Sequence, residues 1–164
     1  MDDGLKAVIM DIKERIRAEE PTALEAAVEL THRYPDEPDV WNALAYGYAR
    51  NDNYVAAIAA MTRVMALARR KPSVFFNRGR YALMARDYDL AVADFTQGLV
   101  LCDELNDDYD REGLHFLRAE AYFQLGRKAE ARADLQHVPD DSVSWTLQVR
   151  SKAELLELCA ESAR

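Results

Sequence analysis

Three histidines, two cysteines and a run of carboxylates are the side chains of this sequence best suited to chemistry. His32, His115 and His137 fall in three separate units of the chain, and none pairs with another at i, i+4, so they compose no zinc-type ligand set. Cys102 and Cys159 lack CxxC spacing and read as buried thiols. No serine or cysteine sits in a nucleophile-elbow pattern, and no glycine-rich loop is present to cradle a phosphate. Asp108, Asp110, Glu112 and Gly113 imitate the start of a calcium loop, but Ala119 stands where the closing bidentate glutamate belongs. The stretch from Cys102 to Gly113 therefore reads as a solvated insertion. The paired acids Glu19-Glu20 and Asp140-Asp141 precede helical patterns, where carboxylates offset the helix dipole. These features predict no enzymatic activity, no cofactor and no metal.

Composition narrows the partners. At 164 residues, 49% hydrophobic and 30% charged, the chain suits one compact domain or a short array of stacked units. A net charge of −8 repels a phosphate backbone, so nucleic acid is not an expected partner. The local basic run Arg69-Arg70-Lys71, with Arg63 upstream, suits a helix C-terminus. There is no apolar leader at the N-terminus and no uninterrupted apolar stretch of ~18 residues, which predicts a cytoplasmic protein without membrane insertion.

The elements that carry these residues repeat. Laid over one another, Trp41 to Leu67 and Phe75 to Leu101 align without a gap, matching Tyr54 with Tyr88, Ala57 with Ala91, Ala59 with Ala93 and Thr62 with Thr96. A further copy follows after a short insertion, where Phe76, Arg78, Ala91, Ala93 and Asp94 recur as Phe116, Arg118, Ala131, Ala133 and Asp134. Small residues at Ala45, Gly79 and Ala119 suit two helices in close approach, and large ones at i, i+3, i+7 form the stripe each helix buries. Asn51-Asp52-Asn53, Ala85-Arg86-Asp87 and Leu125-Gly126-Arg127 read as hairpin turns. Upstream, Leu5, Val8, Ile9, Ile12 and Ile16 make one apolar face, and Ala23, Leu24, Ala27, Val28 and Leu30 another. Downstream, a final helix from about Ser142 offers Trp145, Leu147, Val149, Leu155, Leu156 and Leu158 to cover the open end, as stacked repeats require.

With its period near 34, the chain resembles the tetratricopeptide repeat (TPR) family, whose pattern is W-x2-L-G-x2-Y, then A-x3-F, then P. The copies supply Trp41, Leu44, Ala45, Tyr48, Ala57 and Met61; Phe75, Arg78, Gly79, Ala82, Ala91 and Phe95; and His115, Arg118, Ala119, Tyr122, Ala131 and Leu135. The likeness covers about residues 38 to 138 and implies an all-α, TPR-like right-handed α-solenoid of antiparallel helix hairpins with N- and C-terminal capping helices. The expected parts are an N-terminal helical pair over 1–37, three repeats within 38–141 (about 38–71, 72–105 and 112–139) and a C-terminal capping helix over 142–164.

The same resemblance implies function. The family uses the first helix of each hairpin to line a groove that binds peptides or partner proteins, as an adaptor or scaffold. Carried over, the groove positions are Asn42, Tyr46, Ala49 and Arg50; Phe76, Asn77, Arg80, Leu83 and Met84; and Phe116, Leu117, Glu120, Phe123 and Gln124. A clamp for terminal carboxylates, found in one member type, is not expected: Asn77 fits it, but Asn42, Tyr46, Gly113 and Leu117 stand where mostly cations are wanted. Two other readings stay open. One is a client chaperone resembling acidic, three-repeat bacterial secretion chaperones, and the other a module that assembles as a homo-oligomer.

Overall fold

The computed structural model describes residues 3–68, 70–108, 110–144 and 146–160. Within them the helices are α1 (Asp3–Arg17), α2 (Ala23–Arg33), α3 (Pro38–Arg50), α4 (Tyr54–Leu67), α5 (Pro72–Met84), α6 (Tyr88–Leu105), α7 (Arg111–Gln124), α8 (Lys128–Leu135) and α9 (Lys152–Ala160). Two short strands, β1 (Val143–Ser144) and β2 (Arg150–Ser151), pair antiparallel, with Val143 opposite Ser151. The chain divides into two compact units, Met1–Arg69 and Arg70–Arg164.

In the first unit α1 buries Leu5, Ile9, Ile12 and Ile16. Val8, expected on that face, is exposed, because the 3.6-residue period of the helix turns it away from the stripe set by its neighbours. The hairpin α3–α4 opens with Pro38 in its first turn and closes on Asn53, whose side chain accepts a hydrogen bond from the Ala56 amide at 3.2 Å. Ala43, Ala45 and Ala57, all fully buried, let its two helices approach.

The second unit repeats the design. Pro72 begins α5, and Asp87 caps α6 by accepting from the Leu90 amide. Gly79 is required by close approach: a Cβ there would lie 2.7 Å from the Phe95 ring. Each of the three hairpin turns places one residue in the left-handed region, Asp52 (φ 55°), Arg86 (φ 63°) and Gly126 (φ 73°). The next amide then reaches back five residues, Asn53 to Tyr48, Asp87 to Ala82 and Arg127 to Tyr122, at 2.8–2.9 Å. That closure satisfies carbonyls a helix end leaves open.

The C-terminal segment departs from the sequence expectation. Instead of a helix from about Ser142, the chain forms β1 and β2 first, and α9 begins only at Lys152. A capping box fixes that start: the Glu154 amide donates to Ser151 Oγ at 3.2 Å, and the Ser151 amide donates to Glu154 Oε2 at 2.7 Å. From there α9 closes the third hairpin, with Leu155 and Cys159 buried among Phe116, Ala119, Ala131, Leu135 and Val138. Val149, expected to cover the end, is exposed, and Trp145 lies outside the described residues. So does Arg69 of the basic run; its neighbour Arg70 reaches Glu104 at 3.4 Å.

Candidate functional site

Two helix-to-helix ion pairs brace the second unit. Arg78 on α5 binds Asp94 on α6 through two hydrogen bonds of 2.8 and 2.6 Å, and one repeat later Arg118 binds Asp134 in the same way at 2.7 and 2.6 Å. Burial pushes the Asp94 carboxyl above its ordinary value despite Arg78. At Asp134 burial acts in the same sense, but hydrogen bonds from Arg118 and from His115, whose Nδ1 is 2.9 Å away, outweigh it and hold the carboxyl low. His115 also stacks on His137, with ring centroids 4.4 Å apart. The sequence reading that put these two histidines in separate units is thus corrected: the α7–α8 hairpin sets the end of α8 beside the start of α7 and brings them together. Their carboxylate is already held by Arg118 and His115 itself is buried, so the group locks α7 to α8.

On the other side of α5 and α7 the helices leave a cleft of about 190 Å³. Phe76 and Arg80 from α5, and Glu112, Gly113, Phe116 and Leu117 from α7, form its helical wall; Val143, Ser144 and Thr146 close it. Gly113 makes the wall possible, since a Cβ there would fall 2.8 Å from the Phe76 ring. The Arg80 guanidinium lies 5.9 Å from the ring centroid of Phe76 and 5.5 Å from that of Tyr81. It also faces Asp110, whose carboxyl is pushed up by burial and by Asp107 against the pull of Arg80.

The expected groove residues divide. Asn42, Tyr46 and Arg50 lie on α3 of the first unit, the first two half-buried and Arg50 exposed, 3.4 Å from Glu19 beside a separate cleft of about 330 Å³. In the second unit Phe76, Asn77, Arg80, Met84 and Phe123 are half-buried and Gln124 is exposed. Leu83, also on α5, is fully buried. Phe116 and Glu120 are buried, at 4% and 1% exposure. Phe116 is packed beneath α9, and the β1–β2 segment bears on Glu120 through Ser144 and Arg150.

Glu120 is the anomaly of the face. Neither carboxylate oxygen has a hydrogen-bond partner, and the buried Ser144 Oγ also lacks one. Ser144 and the charge of Arg150 draw the carboxyl down, but burial dominates and pushes it up to about 7. Ser144 acts on Glu120 without reaching full hydrogen-bond geometry, so the carboxyl counts as unpartnered. The β1–β2 cover was invisible to the repeat register; the signal that would have delimited it is the Ser151-x-x-Glu154 capping box. At the imitated calcium loop, Ala119 is fully buried within α7, Asp108 pairs with Arg111, and Glu112 accepts from Ser142 at 2.5 Å. Among the described residues no cluster of histidine, cysteine or carboxylate side chains is placed to hold a metal ion, and no helix is long and apolar enough to cross a membrane.

No protein-family model matches the chain, and no curated protein matches it. Solved structures do. One is TTC0263, a thermophilic TPR protein of Thermus thermophilus, with a TM-score of 0.63 and 20% identity over 80% of this chain and 70% of that one. MamA protein gives a TM-score of 0.66 at 16% identity over 79% and 69%. A tetratricopeptide repeat protein from Parabacteroides merdae ATCC 43184 gives 0.57 at 21% identity, covering 79% of this chain and 50% of that chain. These likenesses, with the helical hairpins described above, show the fold: an all-α, TPR-like solenoid.

Proposed function

We propose that the protein is a non-enzymatic protein-binding module, an adaptor or scaffold, that takes a peptide or a segment of a partner protein on the α5–α7 face. The observation that carries this reading is the partly open cleft in which Phe76 and Arg80 stand side by side with Leu117. Aromatic and arginine side chains are the types that dominate the energetics of protein interfaces once a partner desolvates them. Arg80 gives orientation by receiving an acidic side chain through charge-assisted hydrogen bonds, and Phe76 gives apolar burial. The net charge of −8 weighs against nucleic acid as the partner.

Affinity purification of the full chain, followed by mass spectrometry, tests this. Arg80→Gln should weaken capture of a specific partner by about 1–2 kcal/mol, and Phe76→Ala with Arg80→Ala should abolish it, with helical circular dichroism unchanged. Undiminished capture by the double variant removes the site from this face.

A further inference from the structure

The β1–β2 segment lines one side of the α5–α7 cleft and lies over an unsatisfied acid. Val143, Ser144 and Thr146 line the cleft, and the Arg150 guanidinium lies 5.4 Å from the centroid of the Phe123 ring. Beneath them Glu120 is 1% exposed with both oxygens unpartnered, and Ser144 is buried with its hydroxyl unpartnered as well. Buried polar atoms without partners favour any arrangement that returns them to water. The cover itself is slight: two strands of two residues each, a size that has little stability of its own.

The charged groups around Glu120 leave Arg150 of β2 as the one that bears on it. On α7, Arg118 and His115 are engaged by Asp134 of α8; on α6, Asp94 is engaged by Arg78 of α5. Arg80 of α5 faces Asp110, and Lys128 and Arg132 of α8 bear on Cys159. Next to α9, Lys152 binds Asp140 and the Val138 carbonyl, and Glu154 binds Ser151.

We propose that the β1–β2 pair is a proton-controlled cover of the α5–α7 face: it stays closed over Glu120 while that carboxyl is uncharged and lifts when it ionises. Lifting exposes Leu117, Glu120 and Phe123. Its importance for binding rests on the reading that this face takes a partner; the movement itself does not. The sign follows from linkage. With the cover closed the carboxyl titrates at about 7, and with the cover lifted it returns toward its ordinary 4.5. Closure is then fullest below about 4.5, weakens as pH rises to about 7 and stays weak above that, a change on the order of 100-fold in the closing equilibrium.

Amide hydrogen exchange in the full chain, corrected for intrinsic rates, reads this directly. Between pH 5 and pH 8 the protection of Ser144 and Arg150, which face each other across the strand pair, should fall by tens of fold, while amides in the middle of α6 keep theirs. Glu120→Gln, which cannot ionise, should hold the low-pH protection at both values. The glutamine variant separates the Glu120 contribution from that of every other ionisable group. Protection in the wild type that does not change with pH, or an equal loss in Glu120→Gln, overturns the cover. Should the variant fold poorly, carboxyl carbon shifts of Glu120 in the wild type decide: a midpoint near 4.5 overturns the proposal and one near 7 supports it. If the cover lifts with pH but partner capture is the same at both values and insensitive to Arg80→Gln, the cover stands and the binding role of the face falls.

Discussion

Arg78 and Asp94 are replaced, one repeat earlier, by Leu44 and Ala60, both buried. One hairpin register therefore accepts either a two-bond ion pair or hydrocarbon. Bringing two charges out of water offsets much of their attraction, so the apolar solution need not be weaker, whereas stranding one charge is costly. Arg118→Met, which leaves Asp134 with His115 alone, should lower stability by about 3–5 kcal/mol in urea unfolding. The double change Arg78→Leu with Asp94→Ala copies the first hairpin and should fall within about 1 kcal/mol of the parent. The recurrence of Arg78 and Asp94 as Arg118 and Asp134 was legible in the sequence. Their pairing was not, because the partners stand 16 positions apart across a hairpin turn, and the first copy carries neither charge.

The three hairpin turns argue at the level of elements. They share one backbone geometry but not one residue type: Asp52, Arg86 and Gly126 all have positive φ. An L residue in that region is strained by roughly 1–2 kcal/mol, less for aspartate, whose side chain bonds locally. Nothing lies within 4 Å of a Cβ built at Gly126, so any penalty for a side chain there comes from the backbone alone. Gly126→Ala should therefore lower stability by about 1 kcal/mol, and Arg86→Gly should raise it by up to about 0.5 kcal/mol, read from thermal unfolding. Hairpins and turns could be read from the sequence because small residues, caps and turn residues recur in register. The strands could not: Val143-Ser144 and Arg150-Ser151 are too short to show an alternating pattern, and the repeat register ends before them. On the candidate site, Phe76 and Arg80 line the α5–α7 cleft whereas Leu83 is fully buried: a helix stripe is about 100° wide, and a register carried across does not tell its edge from its centre.

Across the whole molecule two carboxyls give stability opposite pH dependences. Asp134 is held below its ordinary value, so its contribution is complete above the ordinary carboxylate range and is lost as pH falls through its folded value. Glu120 is held up at about 7 against 4.5: below about 4.5 it contributes nothing, and as pH rises to about 7 it removes up to about 3 kcal/mol, limited by the cost of lifting β1–β2. Urea unfolding should show higher stability at pH 5 than at pH 8, with the difference reduced in Glu120→Gln. The turns have a different consequence, for how such a chain grows. Because all three close through the same amide-to-carbonyl link, a genetic crossover at codons 52, 86 or 126 joins one helix to a foreign partner that can remake it. Lengthening or shortening the ladder by a rung is then a single recombination event, paid for only in side-chain fit.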